Sequence, residues 1–380
     1  MSVRKRTWRT QQGERKKAWV VDYMDQQGDR HIETFARKKE ADAFHAQVSI
    51  DVRAGTHTAV SKSITVEEAA KDWIKSVEVE GRETTTLAQY RQHSMHITER
   101  IGDVKLANLT TPHLNTFRDD LLTTMSRAMA RKVMSSLKSL LKDAQRRGNV
   151  AQNVALAVKK IDADKRGEHR LKIGVDIPTG NEIKTILAAA GQRVRPLLLT
   201  AIFTGLRSSE LRGLRWSDVD LKCGELHVRQ RADRYGVIGK PKSAAGHRTV
   251  PLGPMVTNVL REWKLACPKG EHNLVFPTPS GGISLHNNVV RALTTSVCAA
   301  GLIVAKGKPK YTGPHALRHF FASWCINPLD RGGQGLPPKV VQDLLGHSTL
   351  AMTMDTYGHL FPADKDAHKR LADAERALLS

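Results

Sequence analysis

The sequence is short of cysteine, of long apolar runs and of acid, and each shortage excludes something. Its four cysteines, Cys223, Cys267, Cys298 and Cys325, lie far apart with no CxxC pair, which argues against a zinc knuckle or a disulfide framework and fits a reducing compartment. No stretch approaches the ~18 apolar residues a membrane span needs, and the basic start MSVRKRTWRT runs into polar QQGERKK, not the apolar core of a secretion signal. The expectation is a cytoplasmic protein with no membrane partner. Only 38 Asp and Glu stand against 60 Lys and Arg, a formal net charge of +22 spread over the whole 380 residues. Such an excess favours a polyanion as partner, since each phosphate neutralised releases counterions. The length implies two or three domains, each able to bury its own core.

Three segments follow along the chain. Residues 1–60 read as a small strand-rich unit: WVVDYM at 19–24 is a β-type run, Gln26, Gln27, Gly28 and Asp29 supply a turn, and residues 31–35 return. Residues 36–52 read as a helix with Arg37, Lys38 and Lys39 at its start. So thin a core works by docking a sheet face, and DNA is the natural candidate because β-ribbons enter grooves; a packing extension of the next domain is the alternative. Residues 63–165 look all-helical, opening on the capping-box pattern Thr65-Val66-Glu67-Glu68 and placing Thr111 as the cap and Pro112 at the first helical position of a later helix. In residues 131–147, Met134, Leu137, Leu141 and Ala144 share one stripe, and Lys138, Lys142 and Arg146 on the opposite face are candidate phosphate contacts, as are Arg37 and Lys38. The charged stretch 159–170 reads as a linker. Residues 175–380 are mixed but mainly helical, with strand patterns at 225–229 and 248–252. The expected fold class is therefore mainly α with small β elements (α+β).

The chemistry gathers in this last segment. In Thr204-Gly205-Leu206-Arg207 an apolar helix breaks at Gly205 and another begins near Ser208, so Arg207 sits at a helix start where its guanidinium and free backbone donors could meet an anion; Glu210 could pair with a basic group there. In Gly313-Pro314-His315-Ala316-Leu317-Arg318-His319, Pro314 fixes a helix start and His315 and Arg318 project from one face. His315 and His319 are spaced like zinc ligands, yet Ala316 stands where the metalloprotease helix carries Glu, so no metal is expected. Leu344-Leu345-Gly346-His347-Ser348 ends one helix with Gly and offers Ser348 to cap the next, leaving His347 at the junction, with Tyr357 ten residues on.

In order and spacing, Arg207, His315-x-x-Arg318, Leu345-Gly346-His347 and Tyr357 resemble the signature of the tyrosine recombinase family, phage integrases in particular, and Lys242, ahead of residues 248–252, is similar to that family's β-hairpin lysine. The likeness is carried by residues 175–380, extends to the helical segment, and makes residues 1–60 similar to an integrase arm-binding domain. It implies a site-specific recombinase in which Tyr357 attacks a DNA phosphate to give a 3′-phosphotyrosine, Arg207 and Arg318 hold the non-bridging oxygens, Lys242 protonates the leaving oxygen, His315 assists proton transfer, His347 hydrogen-bonds the phosphate, and Glu210 orients its basic neighbours. No cofactor is implied. The implied partners are double-stranded DNA with core and arm sites, three further copies of the chain in a tetramer, and an excisionase or DNA-bending host protein, in a bacterial nucleoid. Residues 327–338, NPLDRGGQGLPP, are longer than the family's usual connection, and Asp355-Thr356 precede Tyr357 where such enzymes often carry Arg. A type IB topoisomerase and a catalytically spent DNA-binding regulator are the rival readings. Finally, Ala367, Leu371, Ala374 and Leu378 share a helical stripe that must be buried on the chain itself or on a neighbour.

Overall fold

A computed structural model describes residues 2–9, 15–25, 28–55, 57, 59, 63–162, 170–362 and 367–379. The chain divides into two compact units, Met1–Glu168 and His169–Ser380.

The first unit holds two cores. Antiparallel strands β1 (Ser2–Arg9), β2 (Arg15–Met24) and β3 (Arg30–Phe35) form a sheet in that order, and α1 (Lys38–Ala54) packs on one face. Because side chains alternate across a strand, Val3, Trp19, Val21, Tyr23 and Phe35 meet Ala41, Phe44 and Val48 of α1 on the inner face. The other face carries Arg4, Arg6 and Trp8, opposite Val20, Ala18 and Lys16. The sequence pattern finds β2, β3 and α1 but not β1, whose burial is too slight to leave an alternating apolar signal. Of the expected turn, Gln26 and Gln27 lie outside the described residues, and Gly28 has φ +84°.

The second core belongs to the helices α2 (Val66–Val79), α3 (Thr84–Ile101), α4 (Thr111–Thr124) and α5 (Arg127–Arg146), with Trp73, Ile97, Phe117, Leu137 and Leu141 at its centre. The capping box forms: the Thr65 hydroxyl accepts from the Glu68 N–H at 3.2 Å and Glu68 accepts from the Thr65 N–H at 2.8 Å. The cap of α4 falls one residue earlier than the sequence suggests, on Thr110, whose hydroxyl accepts from His113 N. Much of the expected linker, residues 163–169, lies outside the described residues.

In the second unit, α6 (Gly180–Ala189), α7 (Arg195–Thr204), α8 (Ser208–Gly213), α9 (Pro254–Ala266), α10 (His286–Ala299) and α11 (His315–Ile326) surround a three-stranded sheet in the order β4 (Val219–Asp220), β5 (Glu225–Val228), β8 (Arg248–Pro251). The short pairs β6 (Arg231–Ala232) with β7 (Ile238–Gly239) and β9 (Ile303–Val304) with β10 (Lys308–Pro309) complete the strands among the described residues. α12 (Pro338–Leu345) and α13 (Leu350–Tyr357) pack with α11 in a smaller core of Phe321, Cys325, Ile326, Val341, Leu345 and Tyr357. The long 327–338 connection is tied back onto α11, with Gln334 N donating to Trp324 O and Leu336 N to Cys325 O. In the last helix, α14 (Ala367–Leu379), Leu371 and Leu378 are 69% and 85% exposed, so these two residues of the apolar stripe are open to solvent.

Candidate active site

Two tight glycines build the site. Gly205 ends α7 with φ +60°, and a Cβ there would lie 2.3 Å from Phe321 Cδ1; Gly346 ends α12 with φ +65°, and a Cβ there would lie 2.8 Å from Arg248 Nη1. A left-handed backbone and such closeness admit glycine alone. With both turns drawn in, the carbonyls that close α7 and α12 face a cluster of arginines.

Those carbonyls are taken one by one. Arg248 Nε donates to Leu344 O at 2.7 Å, Arg318 Nη2 to Leu345 O at 2.6 Å and Arg207 Nη2 to Gly346 O at 3.1 Å, while Arg318 Nη1 donates to Gly205 O at 2.7 Å. The negative end of a helix is a fitting place for cations, and these are the carbonyls that the helix itself leaves without partners. Glu210, 3% exposed, bridges two of the guanidiniums: it accepts from Arg207 Nη1 at 2.9 Å and from Arg248 Nη2 at 2.9 Å. Burial pushes its carboxyl upward, but the hydrogen bonds and charge of Arg248 and the charge of Arg207 outweigh this and hold it below the usual range. Glu210 also accepts from the Arg207 backbone N–H at 2.8 Å. The helix start is thus already occupied by a carboxylate, which corrects the expectation that free backbone donors there would meet an anion.

Around this base lies a cleft of about 560 Å³, lined among others by Arg207, Lys242, His315, Arg231, Arg234 and His286. The expected residues Arg207, Lys242 and His315 open onto it. Lys242 sits in the loop between β7 and β8, not on a strand of a hairpin. Arg318 lies beneath, 4% exposed; burial lowers its pKa to about 9, so it is still cationic at neutral pH. His347 is buried and bonds Thr353 Oγ1 through Nδ1 at 2.9 Å. Burial, then the charges of Arg318 and Arg207, push it down to about 4, so it is neutral. The cap of α13 is Thr349, whose hydroxyl accepts from Met352 N, and not Ser348, which instead turns its hydroxyl to the Met352 sulfur.

Tyr357 is 1% exposed. Burial raises its pKa to about 12, against the opposing pull of Arg318 and Arg207. Its hydroxyl lies 2.7 Å from His319 Nδ1, and the His347 ring runs parallel to it with centroids 6.4 Å apart. The phenol therefore stands behind the arginine layer and does not line the cleft. Sequence reasoning missed Arg248 and His319. Arg248 reads as an ordinary strand residue, and its side chain is nevertheless 5% exposed; only the pairing of its strand beside α8 and α12 reveals why. His319 is visible as the partner of His315 at helical spacing, but the one role that spacing offers, a zinc pair, is excluded by Ala316, and nothing local points to Tyr357. Among the described residues no group of three or more His, Cys, Asp or Glu could hold a metal ion.

The five further basic candidates lie in the first unit, away from this cluster in the chain. Arg146 is paired with Asp143 at 2.5 Å and Glu80 at 3.7 Å, Lys142 lines a hollow beside it, and Lys138 is half-buried on α5. Arg37 precedes α1, and Lys38 lies over the Trp19 ring at 5.4 Å.

Comparison with known proteins decides the family. The pattern describing the phage integrase family matches residues 178–363. A XerC-like tyrosine recombinase of Caldanaerobacter subterraneus is 26% identical over 356 residues, covering 86% of this chain and 87% of that protein. The chain belongs to the tyrosine recombinase family. It is thus a tyrosine-type site-specific recombinase. The tyrosine recombinase XerC of Xylella fastidiosa is 34% identical over 186 residues, 49% of this chain, and the match spans 52% of the Xylella protein's own length. The fold is shared with the integrase of the Tn1549 transposon, solved in complex with transposon right end DNA (TM-score 0.65, 21% identity, 82% of this chain and 99% of that one). It is shared too with a lambda integrase tetramer bound to a Holliday junction (TM-score 0.58, 19% identity, 90% of this chain and 95% of that one). No helix among the described residues is long and apolar enough to cross a membrane.

Proposed function

We propose that this recombinase integrates or excises a mobile element, such as a phage genome, by cutting and rejoining DNA through a 3′-phosphotyrosine at Tyr357. The observation that carries this reading is a cluster of arginines at one cleft: Arg207, bridged to Arg248 by Glu210, with Arg318 held beneath by the Gly205 and Leu345 carbonyls, Lys242 and His315 lining the cleft, and Tyr357 at the end of α13. The hydroxyl oxygen of Tyr357 bonds to phosphorus as the 5′ oxygen leaves, so the bond energy is kept in the covalent intermediate and no nucleotide is consumed. Arg207 and Arg318 offset the charge that grows on the non-bridging oxygens. Lys242 donates the proton that the leaving oxygen needs, and His347 and His315 hydrogen-bond around the phosphate. Since these cations are side chains, full-length protein on a nicked suicide core-site duplex is expected to accumulate covalent complex in EDTA without ATP. An absolute need for added Mg²⁺ in cleavage would refute the side-chain clamp.

Double-stranded DNA is the partner on this reading. The solved relatives bound to transposon-end DNA and to a Holliday junction support it, and the lambda integrase tetramer supports assembly as a tetramer on two duplexes. The exposed stripe of Leu371 and Leu378 on α14 fits docking on a neighbouring copy. The three domains expected from the sequence, 1–60 for arm DNA, 63–165 for core DNA and 175–380 for catalysis, fit the separate cores of the first unit and the single site of the second. In the first domain the exposed row of Arg4, Arg6 and Trp8 along β1, with Arg4 beside Asp22, is a better arm-DNA surface than Arg37 and Lys38, because it offers two guanidiniums and a half-exposed indole on one strand. The double variant R4A/R6A is expected to weaken binding to accessory sites by roughly tenfold or more at moderate salt and to flatten the log–log salt slope by about 2. Covalent trapping on an isolated core site should be unchanged. Filter binding across a salt series checks this, and equal loss at core and accessory sites would assign β1 a purely structural role.

A further inference from the structure

The arginine layer leaves one requirement of the proposed reaction unassigned. A phenol held at a pKa of about 12 is only about one part in 10⁵ ionised at pH 7, so its proton must leave as the oxygen attacks. A base must therefore touch the Tyr357 oxygen.

One group does. His319 lies one turn after His315 on α11, and its Nδ1 is 2.7 Å from the Tyr357 oxygen, the two rings meeting edge to face with centroids 5.7 Å apart. Each other candidate fails on geometry or charge. His315 opens onto the cleft, which Tyr357 does not line, and its ring centre is 6.2 Å from that of His319. His347 has Nδ1 engaged by Thr353 at 2.9 Å, and its ring is parallel to the phenol instead of pointing at its oxygen. Arg207, Arg248 and Arg318 are cations with no lone pair to offer.

We propose that His319 is the general base of the cleavage step, taking the Tyr357 proton on Nδ1 as the hydroxyl oxygen bonds to phosphorus. The inference rests on Tyr357 being the nucleophile. As the O–H bond breaks, its proton passes to the Nδ1 lone pair and the O–P bond forms. The bond from phosphorus to the 5′ oxygen breaks, its electron pair leaves with that oxygen, and Lys242 supplies the proton. Religation runs the same transfers backwards, and nothing else is consumed. Burial, then the charges of His315 and Arg318, lower the pKa of His319 to about 4, against the opposite pull of Asp176, so in the free protein the imidazole is neutral and its lone pair available. Tyr357 and His347 are the further titratable groups facing it, and both are uncharged at neutral pH. A bound phosphodiester adds negative charge beside the ring and raises its basicity, which makes the base strongest when DNA is in place.

The test is single-turnover covalent-complex formation by the full chain on suicide core-site DNA, using either the natural 5′ oxygen or a 5′-bridging sulfur, which leaves without an acid. His319→Asn places an amide at the reach of Nδ1 and keeps a hydrogen bond to Tyr357 but cannot hold a proton. It should bind DNA like the wild type and cleave at least ~100-fold more slowly, the usual contribution of a positioned base. Its rate should climb with pH across the range where the wild type is flat, and the defect should persist with the sulfur leaving group. Lys242→Ala, by contrast, should recover with sulfur. His319→Asn cleaving within twofold of wild type, cleaving faster, or recovering with sulfur would overturn the proposal. Should the variant fail to bind, the wild-type pH profile decides: an acid limb of one-proton slope is expected, and its absence down to pH 4 would overturn it. A wild type that forms no covalent complex at Tyr357 refutes the nucleophile itself, a failure visible before any variant is compared.

Discussion

Tyr357→Phe is expected to abolish covalent capture on suicide DNA, to below one part in ~10⁴ of the wild-type rate, while core-site affinity stays within about twofold. The substitution removes one oxygen from a ring that is 1% exposed in the core of Phe321, Cys325, Ile326, Val341 and Leu345. Shape and charge are kept, so no cavity opens. The lost hydrogen bond to His319 leaves one imidazole nitrogen without its partner, a stability change on the order of 1 kcal/mol. Cleavage, by contrast, loses the atom that bonds to phosphorus. Denaturing gels resolve the covalent complex and gel shifts the non-covalent one. Persistent capture by the Phe variant would remove Tyr357 from the reaction altogether.

The second large effect is expected at Glu210. Glu210→Gln keeps the shape but withdraws the carboxylate that bonds both Arg207 and Arg248. Breaking a buried ion pair from one side costs about 3–5 kcal/mol, because the remaining charges are left uncompensated. With Arg207 no longer braced, cleavage should fall by ~100-fold or more, as when a donor to the developing charge is displaced. The stability gap depends on pH in a defined direction. The carboxyl of Glu210 is held below its ordinary value when folded, so its contribution is complete above the ordinary carboxylate range and is lost as pH falls through the depressed folded value. Urea unfolding of wild type and variant should therefore differ most at neutral pH and converge in acid. A constant gap across pH 3–7 would show that the carboxylate charge is not what the arginines require.

How much of this could be read from the residues alone depends on how local each signal is. The capping box at Thr65, the strands β2 and β3, and the helix carrying Lys138 and Lys142 follow from patterns within a few residues, and they appear within a few residues of where periodicity places them. Strand β1 is not legible because its run of mostly basic and polar residues, broken only by Val3 and Trp8, has no apolar period; its partner β2 is what makes it a strand. Arg207, His315 and His347 stand out locally because each sits beside a glycine, proline or helix junction, whereas Lys242, Arg318 and Tyr357 were singled out by the order and spacing that resemble the family signature. Arg248 and His319 were not, since their roles depend on what lies across the fold: Glu210 is 38 residues from Arg248, and Tyr357 is 38 residues from His319. Nor does any pattern in the sequence say that Tyr357 stands behind the arginine layer and not in the cleft.

The three carbonyls at the end of α12 have a mechanical consequence. Leu344, Leu345 and Gly346 each hold a different arginine, and the chain then runs through His347, Ser348 and Thr349 straight into the helix that ends at Tyr357. An anion entering the cleft competes for the same guanidinium hydrogens, Arg207 Nη2 first, since its side chain is 32% exposed and its bond of 3.1 Å is the longest of the three. Each bond surrendered to the anion loosens the anchor from which α13 starts. Arg207 and its neighbours thus tie the cleft to the helix that carries Tyr357: on the proposed reading, an anion in the cleft and the start of α13 draw on one set of hydrogen bonds.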